Sequence, residues 1–356
     1  MYKGCHAVAE AAIRAGCRGY FGYPITPQSE IGEYMAENMP QVNGVFIQAE
    51  SELAASSMVF GAAAAGARAM TSSSGVGIAL MQESISAMVA TQLPAVLVNI
   101  TRGGPGGGSI QPSQSDYFQS TRGGGNGDYN LLVMTPNSVQ ELAEHVYEAF
   151  ELADKYRSPV LVMADGVLAQ MMEEAELPEP IAEIPKKGWA ADGARYDGAD
   201  RGKNTVTHVF VPNEKVELLN DTLQKKFSEI AANEVRWEEK NTEDAELILV
   251  AYGVSSRICE DVMDMARAEG LKIGLFRPIT VWPFPTKRLQ ELSNKTKKFL
   301  CVEMSCGQMV QDVRSFLALG GNLDAKAYHY GRKGGIVHTV SEVMAAMKEV
   351  LGKEGA

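Results

Sequence analysis

Two glutamates, Glu50 and Glu52, follow an apolar segment predicted to form a strand over 44–48. A helix is predicted over 52–66, and carboxylates favour the first turn of a helix because the backbone N–H groups there carry partial positive charge. Ligands also bind at the carboxyl ends of parallel strands in open α/β sheets. A glutamate here could therefore cap the helix or exchange a proton with a ligand, and spacing alone does not choose between the two.

A threonine lies between two prolines in the segment that joins the preceding strand to a helix. Pro24 favours extended backbone at Tyr23, and Pro27 suits the first turn of a helix, so the turn between them is stiff. Thr26 is held at the sheet edge by this turn. Its hydroxyl could face a substrate, or it could cap the helix predicted over 28–39.

An arginine, Arg102, ends the apolar strand Pro94–Ile100 and begins a glycine-rich loop over Gly103–Gly108. A guanidinium can bind a carboxylate through two parallel N–H···O bonds, which would suit an acidic substrate. The alternative role is a surface salt bridge. A second glycine cluster, Gly123–Asp128, lengthens this region, and long loops of this kind are binding loops or mobile connections.

Three separated motifs resemble the alpha subunit of the 2-oxoacid:ferredoxin oxidoreductases, in particular the type that oxidises 2-ketoisovalerate (3-methyl-2-oxobutanoate) and other branched-chain 2-oxoacids. The motifs are Gly16–Ile31, Gln48–Ala55 and Asn99–Gly106, and Arg277–Pro285 belongs to the same pattern. The likeness extends over nearly the whole chain.

This resemblance implies thiamine diphosphate as cofactor, shared with a beta subunit that carries the Mg²⁺ and diphosphate motif. It implies gamma and ferredoxin-like delta subunits as further partners, with [4Fe-4S] clusters on partner chains. The reaction implied is oxidative decarboxylation of a 2-oxoacid, with coenzyme A as the acyl acceptor and ferredoxin as the electron acceptor.

The resemblance also chooses between the two glutamates. The family motif has a glutamate followed nine positions later by a glycine, which matches Glu52 and Gly61. Glu52 is therefore implied to be the carboxyl group that bonds to the aminopyrimidine ring of the cofactor and activates it. No residue of this chain is implied to bind a metal.

Four further positions acquire roles from the resemblance. Thr26 and Arg102 are implied to hold the substrate carboxylate, and Ile25 and Gly75 are implied to contact the cofactor. Relatives are expected to carry a histidine at the second glycine cluster, whereas this chain has Asn126 there. An acid–base role at that position is therefore not expected.

Two motifs are better explained without their familiar functions. Ser72–Leu80 follows a strand as a dinucleotide fingerprint would, but Leu80 stands at the third glycine position, so a backbone turn facing the cofactor cleft is expected. Ala164–Gly166 lacks the continuation to Asn-Asn that holds metal and diphosphate in thiamine enzymes. The chain is therefore expected to supply at most half of a thiamine site.

The elements that position these residues alternate between strand and helix along the chain, which predicts an α/β fold with two mainly parallel sheets. Residues 1–180 are expected to form a thiamine-enzyme pyrimidine-type domain, with one helix predicted over 77–90. Residues 181–241 are expected to form a linker with a glycine- and aspartate-rich run to Lys203 and a polar helix over 213–239. A smaller transketolase C-terminal-like domain is expected over 242–356.

Composition narrows the class of protein. The 356 residues are 45% hydrophobic, which is enough for two cores, and the formal net charge of −11 disfavours binding along a nucleic-acid backbone. We find no apolar run long enough for a membrane span and no leader pattern, so a cytoplasmic protein without membrane or nucleic-acid partners is expected.

The five cysteines include no Cys-x-x-Cys pair, and the five histidines have no metal-like spacing, so any redox centre is expected on another chain. Cys301 and Cys306 are expected to be buried free thiols. Two alternatives stay open: a related enzyme that acts on 2-oxoglutarate or pyruvate, and an assembly subunit that catalyses nothing. The joint presence of Thr26, Glu52 and Arg102 favours an enzyme.

Overall fold

The computed structural model describes residues 1–191 and 204–353, so residues 192–203 of the expected linker lie outside the described part. Within the described ranges the backbone forms the following strands: β1 (Tyr2–Lys3), β2 (Gly19–Gly22), β3 (Val45–Gln48), β4 (Ala69–Ser73), β5 (Val96–Thr101), β6 (Leu132–Met134), β7 (Val160–Asp165), β8 (Met172–Glu173), β9 (Trp237–Lys240), β10 (Leu247–Val250), β11 (Ile273–Pro278), β12 (Thr280–Trp282), β13 (Lys298–Glu303) and β14 (Lys326–Gly331).

The same ranges contain these α-helices: α1 (Gly4–Arg14), α2 (Ser29–Asn38), α3 (Glu52–Ala64), α4 (Val76–Leu80), α5 (Gln82–Ala90), α6 (Tyr117–Arg122), α7 (Val139–Tyr156), α8 (Gly166–Gln170), α9 (Asn213–Asn233), α10 (Gly253–Ala268), α11 (Thr286–Ser293), α12 (Met309–Leu319) and α13 (Val340–Leu351). A short 3₁₀ helix follows α2. None of these helices combines the length and apolar character needed to cross a bilayer.

The first sheet has seven strands in the order β12-β6-β7-β5-β4-β2-β3. Its strands are parallel except β12, which pairs antiparallel with β6. The central strands β5 and β7 are buried along their whole length, as continuous apolar runs are when helices cover both faces of a parallel sheet. The carboxyl ends of β2, β3, β4 and β5 consequently meet at one edge.

The second sheet has five strands in the order β14-β13-β10-β11-β9, all parallel except β9. The predicted two-sheet α/β architecture is confirmed. The segment 280–282 joins the first sheet as β12, although it lies within the range expected for the second domain.

Two helices differ from the sequence prediction. The helix expected over 77–90 is divided at Met81 into α4 and α5. The polar helix expected over 213–239 ends at Asn233, because Trp237–Lys240 pairs with β11 instead. Arg277 on β11 is 2% exposed and donates a hydrogen bond of 2.8 Å to Glu238, which stabilises that pairing.

Candidate active site at the carboxyl edge of the first sheet

The predicted site residues follow four neighbouring strands of the first sheet. Thr26 comes after β2, Glu52 after β3, Gly75 after β4 and Arg102 after β5. Because these strands are parallel, the four residues lie along the same edge. Ile25 precedes Thr26 and is half-buried, and its carbonyl accepts a hydrogen bond from the Gln28 N–H.

Glu52 is the first residue of α3, and the Ser51 side chain caps this helix by accepting a hydrogen bond from the Ala54 N–H. Glu52 is 5% exposed, whereas Glu50 is exposed. Among the residues that the structure describes, none forms a hydrogen bond or an ion pair with the Glu52 carboxylate. The side chain is almost buried while its carboxylate has no donor from the described chain, so this group is available to a donor from outside the chain.

The backbone at Gly77 lies close to one side of the Glu52 carboxylate. A Cβ added at Gly77 would lie 2.5 Å from Glu52 Oε1 and would also collide with Ser73 Oγ. The hydroxyls of Ser73 and Ser74 are buried and find no hydrogen-bond partner among the described residues. The edge therefore offers a carboxylate and two hydroxyls that the chain itself leaves unsatisfied, as expected where a polar ring system binds.

The Arg102 guanidinium is held in place by backbone carbonyls. Its Nη1 donates to the Thr26 carbonyl oxygen at 2.8 Å, and its Nη2 donates to the Gly107 carbonyl oxygen at 3.2 Å. Two of the five guanidinium N–H groups are used in this way, which leaves three for a ligand. The guanidinium is thus oriented before any substrate binds.

Gly75 lies directly beside this arginine. Its backbone has φ +48°, and a Cβ there would stand 3.5 Å from Arg102 Cγ. The structure therefore brings Thr26, Gly75 and Arg102 together. Thr26 meets Arg102 through its backbone carbonyl, while its exposed side chain lines a different cavity of about 580 Å³ with Glu30 and Glu33.

A cavity of about 370 Å³ lies between Arg102 and the second sheet. One wall is formed by residues of the first sheet, among them Gly75, Val76, Arg102 and Asp116. The opposite wall is formed by residues that follow β13 and β14: Met304, Ser305, Cys306, Gln308, Lys333 and Gly334. The sequence did not predict this second wall.

Cys306 was expected to be buried and is exposed, so that prediction is wrong. It lies beyond the end of β13, in the turn before α12, where no strand neighbour covers it. Cys301, within β13, is buried as expected.

Asp116 is a cavity residue that sequence reasoning missed. Burial raises the pKa of the Asp116 carboxyl, while a hydrogen bond of 3.0 Å from Asn99 Nδ2 and the charge of Arg102 oppose that rise. Asn99 is a polar residue within the fully buried strand β5, which is the signal in the sequence for a polar group at this edge.

Two other expectations concern residues away from this cavity. Asn126 is exposed, and its carbonyl accepts a hydrogen bond from Ser86. Asp165 is 2% exposed and caps α8 by accepting from the N–H groups of Val167 and Leu168. No group of three or more His, Cys, Asp or Glu side chains suited to a metal ion occurs in residues 1–191 and 204–353.

Two family models match the chain. The first, described as pyruvate flavodoxin/ferredoxin oxidoreductase, thiamine diphosphate-binding, matches residues 10–232. The second, described as pyruvate:ferredoxin oxidoreductase core domain II, matches residues 245–343. The fold and the two matched domains together define an α/β protein of the thiamine diphosphate-binding class. The chain belongs to the thiamine diphosphate-dependent 2-oxoacid:ferredoxin oxidoreductase family, whose members act as multi-subunit enzymes.

Named relatives lie within the same family. The chain is 47% identical to the ketoisovalerate oxidoreductase subunit VorB of Methanothermobacter marburgensis, over 99% of this chain and 98% of that one. It is 37% identical to the 2-oxoglutarate synthase subunit KorA of Methanocaldococcus jannaschii, over 87% of this chain and 90% of that one.

Two solved structures share the fold. The 2-oxoglutarate:ferredoxin oxidoreductase from Magnetococcus marinus matches with a TM-score of 0.85 and 27% identity; the match covers 98% of this chain and 65% of that longer one. A split-gene transketolase matches with a TM-score of 0.62 and 14% identity over 98% of both chains, which shows a common fold alone.

Proposed function

We propose that this chain is the alpha subunit of an enzyme that oxidises 2-ketoisovalerate. In this reaction the 2-oxoacid loses CO₂, its acyl group passes to coenzyme A as a thioester, and two electrons pass to ferredoxin. The observation that carries the proposal is the Glu52 carboxylate, which is buried, unpartnered within the described chain and located at the same sheet edge as Arg102.

The residues at this edge fit the aminopyrimidine half of thiamine diphosphate. Glu52 would bond to the ring nitrogen, the glycine at position 77 lets the Glu52 carboxylate lie against the backbone of α4, and Ile25 and Gly75 would border the cofactor. When bound here, the cofactor would supply a nucleophilic carbon for attack on the keto carbon of the substrate. The contribution of Glu52 is to hold and move a proton at its carboxylate.

The substrate carboxylate would bind Arg102. Three guanidinium N–H groups remain available after the bonds to Thr26 and Gly107, which is enough for a bidentate contact with a carboxylate. Thr26 would take part through its backbone, whose carbonyl orients Arg102, because its side chain lines the separate cavity of about 580 Å³. The cavity of about 370 Å³ beside Arg102 has room for a branched acyl chain.

The proposal includes partner subunits and a compartment. A beta subunit would bring the Mg²⁺ and diphosphate contacts, and gamma and ferredoxin-like delta subunits with [4Fe-4S] clusters would carry the electrons in the cytoplasm. The support is that the relatives are themselves named as subunits. We also propose the units 1–180 and 242–356 as the two domains, joined by 181–241.

A second candidate substrate is 2-oxoglutarate. Lys333 lines the same cavity as Arg102, and no carboxylate in the described part of the chain forms an ion pair with it. A second cation could receive the second carboxylate of such a substrate. The identity of 37% to a 2-oxoglutarate synthase subunit also favours this candidate.

The test is reconstitution of the chain with its partner subunits from the native host. Coenzyme A-dependent reduction of ferredoxin is measured with 2-ketoisovalerate, 2-oxoglutarate and pyruvate. The highest kcat/KM is expected for 2-ketoisovalerate. Unchanged activity when Glu52→Gln protein replaces the wild-type chain would instead identify a subunit that serves assembly alone.

A further inference from the structure

Gln114 joins the loop that follows Arg102 to the second sheet. Its Nε2 donates to the Tyr252 carbonyl oxygen at 2.8 Å. Its Oε1 accepts from Ser255 Oγ at 2.8 Å and from the Met304 N–H at 3.0 Å. All three partners lie at the carboxyl ends of β10 and β13 or at the start of α10.

The backbone of Gln114 bonds to the same partners. Its N–H donates to the Met304 carbonyl oxygen at 2.9 Å, and its carbonyl accepts from the Tyr252 hydroxyl at 3.2 Å. Gln114 is 1% exposed. A buried amide that accepts two hydrogen bonds and donates one holds its surroundings in place, since removal of the amide would take a partner from the Met304 N–H and the Tyr252 carbonyl oxygen.

The base of the Arg102 loop closes next to Gln114. Arg102 forms an antiparallel bridge with Pro112, and the Thr101 hydroxyl donates to the Ser113 carbonyl oxygen. Arg102 and Gln114 therefore lie at the two ends of one loop, where these contacts hold the ends together. A shift of Gln114 would move Pro112 and Ser113, and through them the backbone from which the guanidinium extends.

Two glycines that follow β14 also contact the outer part of this loop. A Cβ at Gly335 would lie 2.5 Å from Gln111 Cβ, and a Cβ at Gly103 would lie 3.0 Å from the Gly334 carbonyl carbon. These backbone approaches leave the loop little room to shift. Gly107, whose carbonyl accepts the hydrogen bond from Arg102 Nη2, belongs to the same loop.

We propose that Gln114 is a positioning residue that sets the orientation of the Arg102 guanidinium toward the substrate carboxylate. The second sheet and its loops then take part in substrate binding as well as in assembly. This inference rests on the proposed function, in which Arg102 binds that carboxylate.

The experiment uses the reconstituted holoenzyme with Gln114→Leu, which replaces the amide by a branched apolar side chain. The KM for 2-ketoisovalerate should rise about tenfold, a coupling of the size seen between residues of one hydrogen-bonded network. The kcat value and thiamine diphosphate affinity should stay near wild type. Gln140→Leu is the matched control, because Gln140 bonds to Glu144 and Glu176 on the outside of α7 and should leave KM unchanged.

A double-mutant cycle separates positioning from loss of stability. Arg102→Ala should raise KM by itself, and Gln114→Leu should add almost nothing in the Arg102→Ala background. Additive effects would overturn the inference while leaving the proposed function intact. An unchanged KM in Arg102→Ala would overturn both, because Arg102 would then not bind the substrate.

If the Gln114→Leu chain fails to assemble, the same double-mutant cycle can be measured with Ser255→Ala. It removes the hydroxyl donor to Gln114 Oε1 and leaves Gln114 itself in place. A smaller rise in KM that vanishes in the Arg102→Ala background supports the inference. A KM equal to that of the wild type in Ser255→Ala, together with failed assembly of Gln114→Leu, would show a purely structural role.

Discussion

Gly77 lies against the Glu52 carboxylate so closely that a Cβ at this glycine would stand 2.5 Å from Glu52 Oε1. The glycine belongs to the turn and helix start that follow β4, and the glutamate opens α3 after β3. The segments that follow two separate strands thus pack against each other, and their close approach depends on the absence of a side chain at position 77.

Gly77→Ala should displace the Ser73 hydroxyl and the Glu52 carboxylate, because the added Cβ would stand 2.0 Å from Ser73 Oγ and 2.5 Å from Glu52 Oε1. The affinity of the reconstituted complex for thiamine diphosphate should fall by about 5- to 150-fold, because overpacking a tight site costs roughly 1–3 kcal/mol. Titration calorimetry with Mg²⁺ present measures this. Gly188→Ala is the control, because a Cβ at Gly188 meets nothing within 4 Å.

Glu52→Gln should abolish exchange of the cofactor C2 proton with deuterium in the reconstituted complex, because an amide cannot take up the proton that the carboxylate holds. Glu50→Gln should leave exchange near the wild-type rate, since Glu50 is exposed. Proton NMR of quenched samples reports the rate. Equal losses in both variants would contradict the assignment of Glu52.

The residues Thr26, Glu52, Gly75 and Arg102 could be placed from the sequence because each follows a strand-like segment at a turn with a recognisable pattern. Parallel strands bring such turns to one edge whatever the order of the strands. The fold class alone is therefore enough to predict that these four residues lie near one another. The chemistry assigned to them came from the family resemblance, since a helix-capping role fits Glu52 equally well on local grounds.

The second cavity wall could not be predicted in this way. Lys333 and Cys306 line the same cavity as Arg102, although they follow strands of the other sheet. Such a long-range arrangement leaves no periodic pattern in the local sequence. Strand β14 was missed because its residues Lys326–Gly331 are largely half-buried and polar. The predicted polar helix over 213–239 includes most of β9, because the pairing of β9 with β11 is a contact between segments far apart in the chain.

A buried histidine makes stability depend on pH. Burial lowers the pKa of His145 to about 4, although Glu141 and Glu148 raise it, and the charges of Arg277 and Arg236 lower it further. An unfolded histidine titrates near its ordinary value of 6.5. The unfolded chain therefore binds the proton first as pH falls, so the stability due to neutral His145 is present above pH 6.5 and is lost toward pH 4.

His145→Gln should reduce this dependence. The wild-type free energy of unfolding should drop by roughly 2 kcal/mol more than that of the variant between pH 7 and pH 5, from the linkage between pKa and stability. Urea unfolding at the two pH values measures the difference. The exposed His208, changed to Gln, is the control and should follow the wild-type slope.

Lys333 and Arg102 line one cavity, so the choice between substrates with one and two carboxylates can be tested there. Lys333→Gln should lower kcat/KM for 2-oxoglutarate by about tenfold, because a charge-assisted hydrogen bond contributes roughly 1.5–3 kcal/mol. The value for 2-ketoisovalerate should change little, since its single carboxylate is expected on Arg102. Lys287→Gln, an exposed change on α11, controls for net charge. An equal loss for both substrates would mean that Lys333 does not contact the second carboxylate.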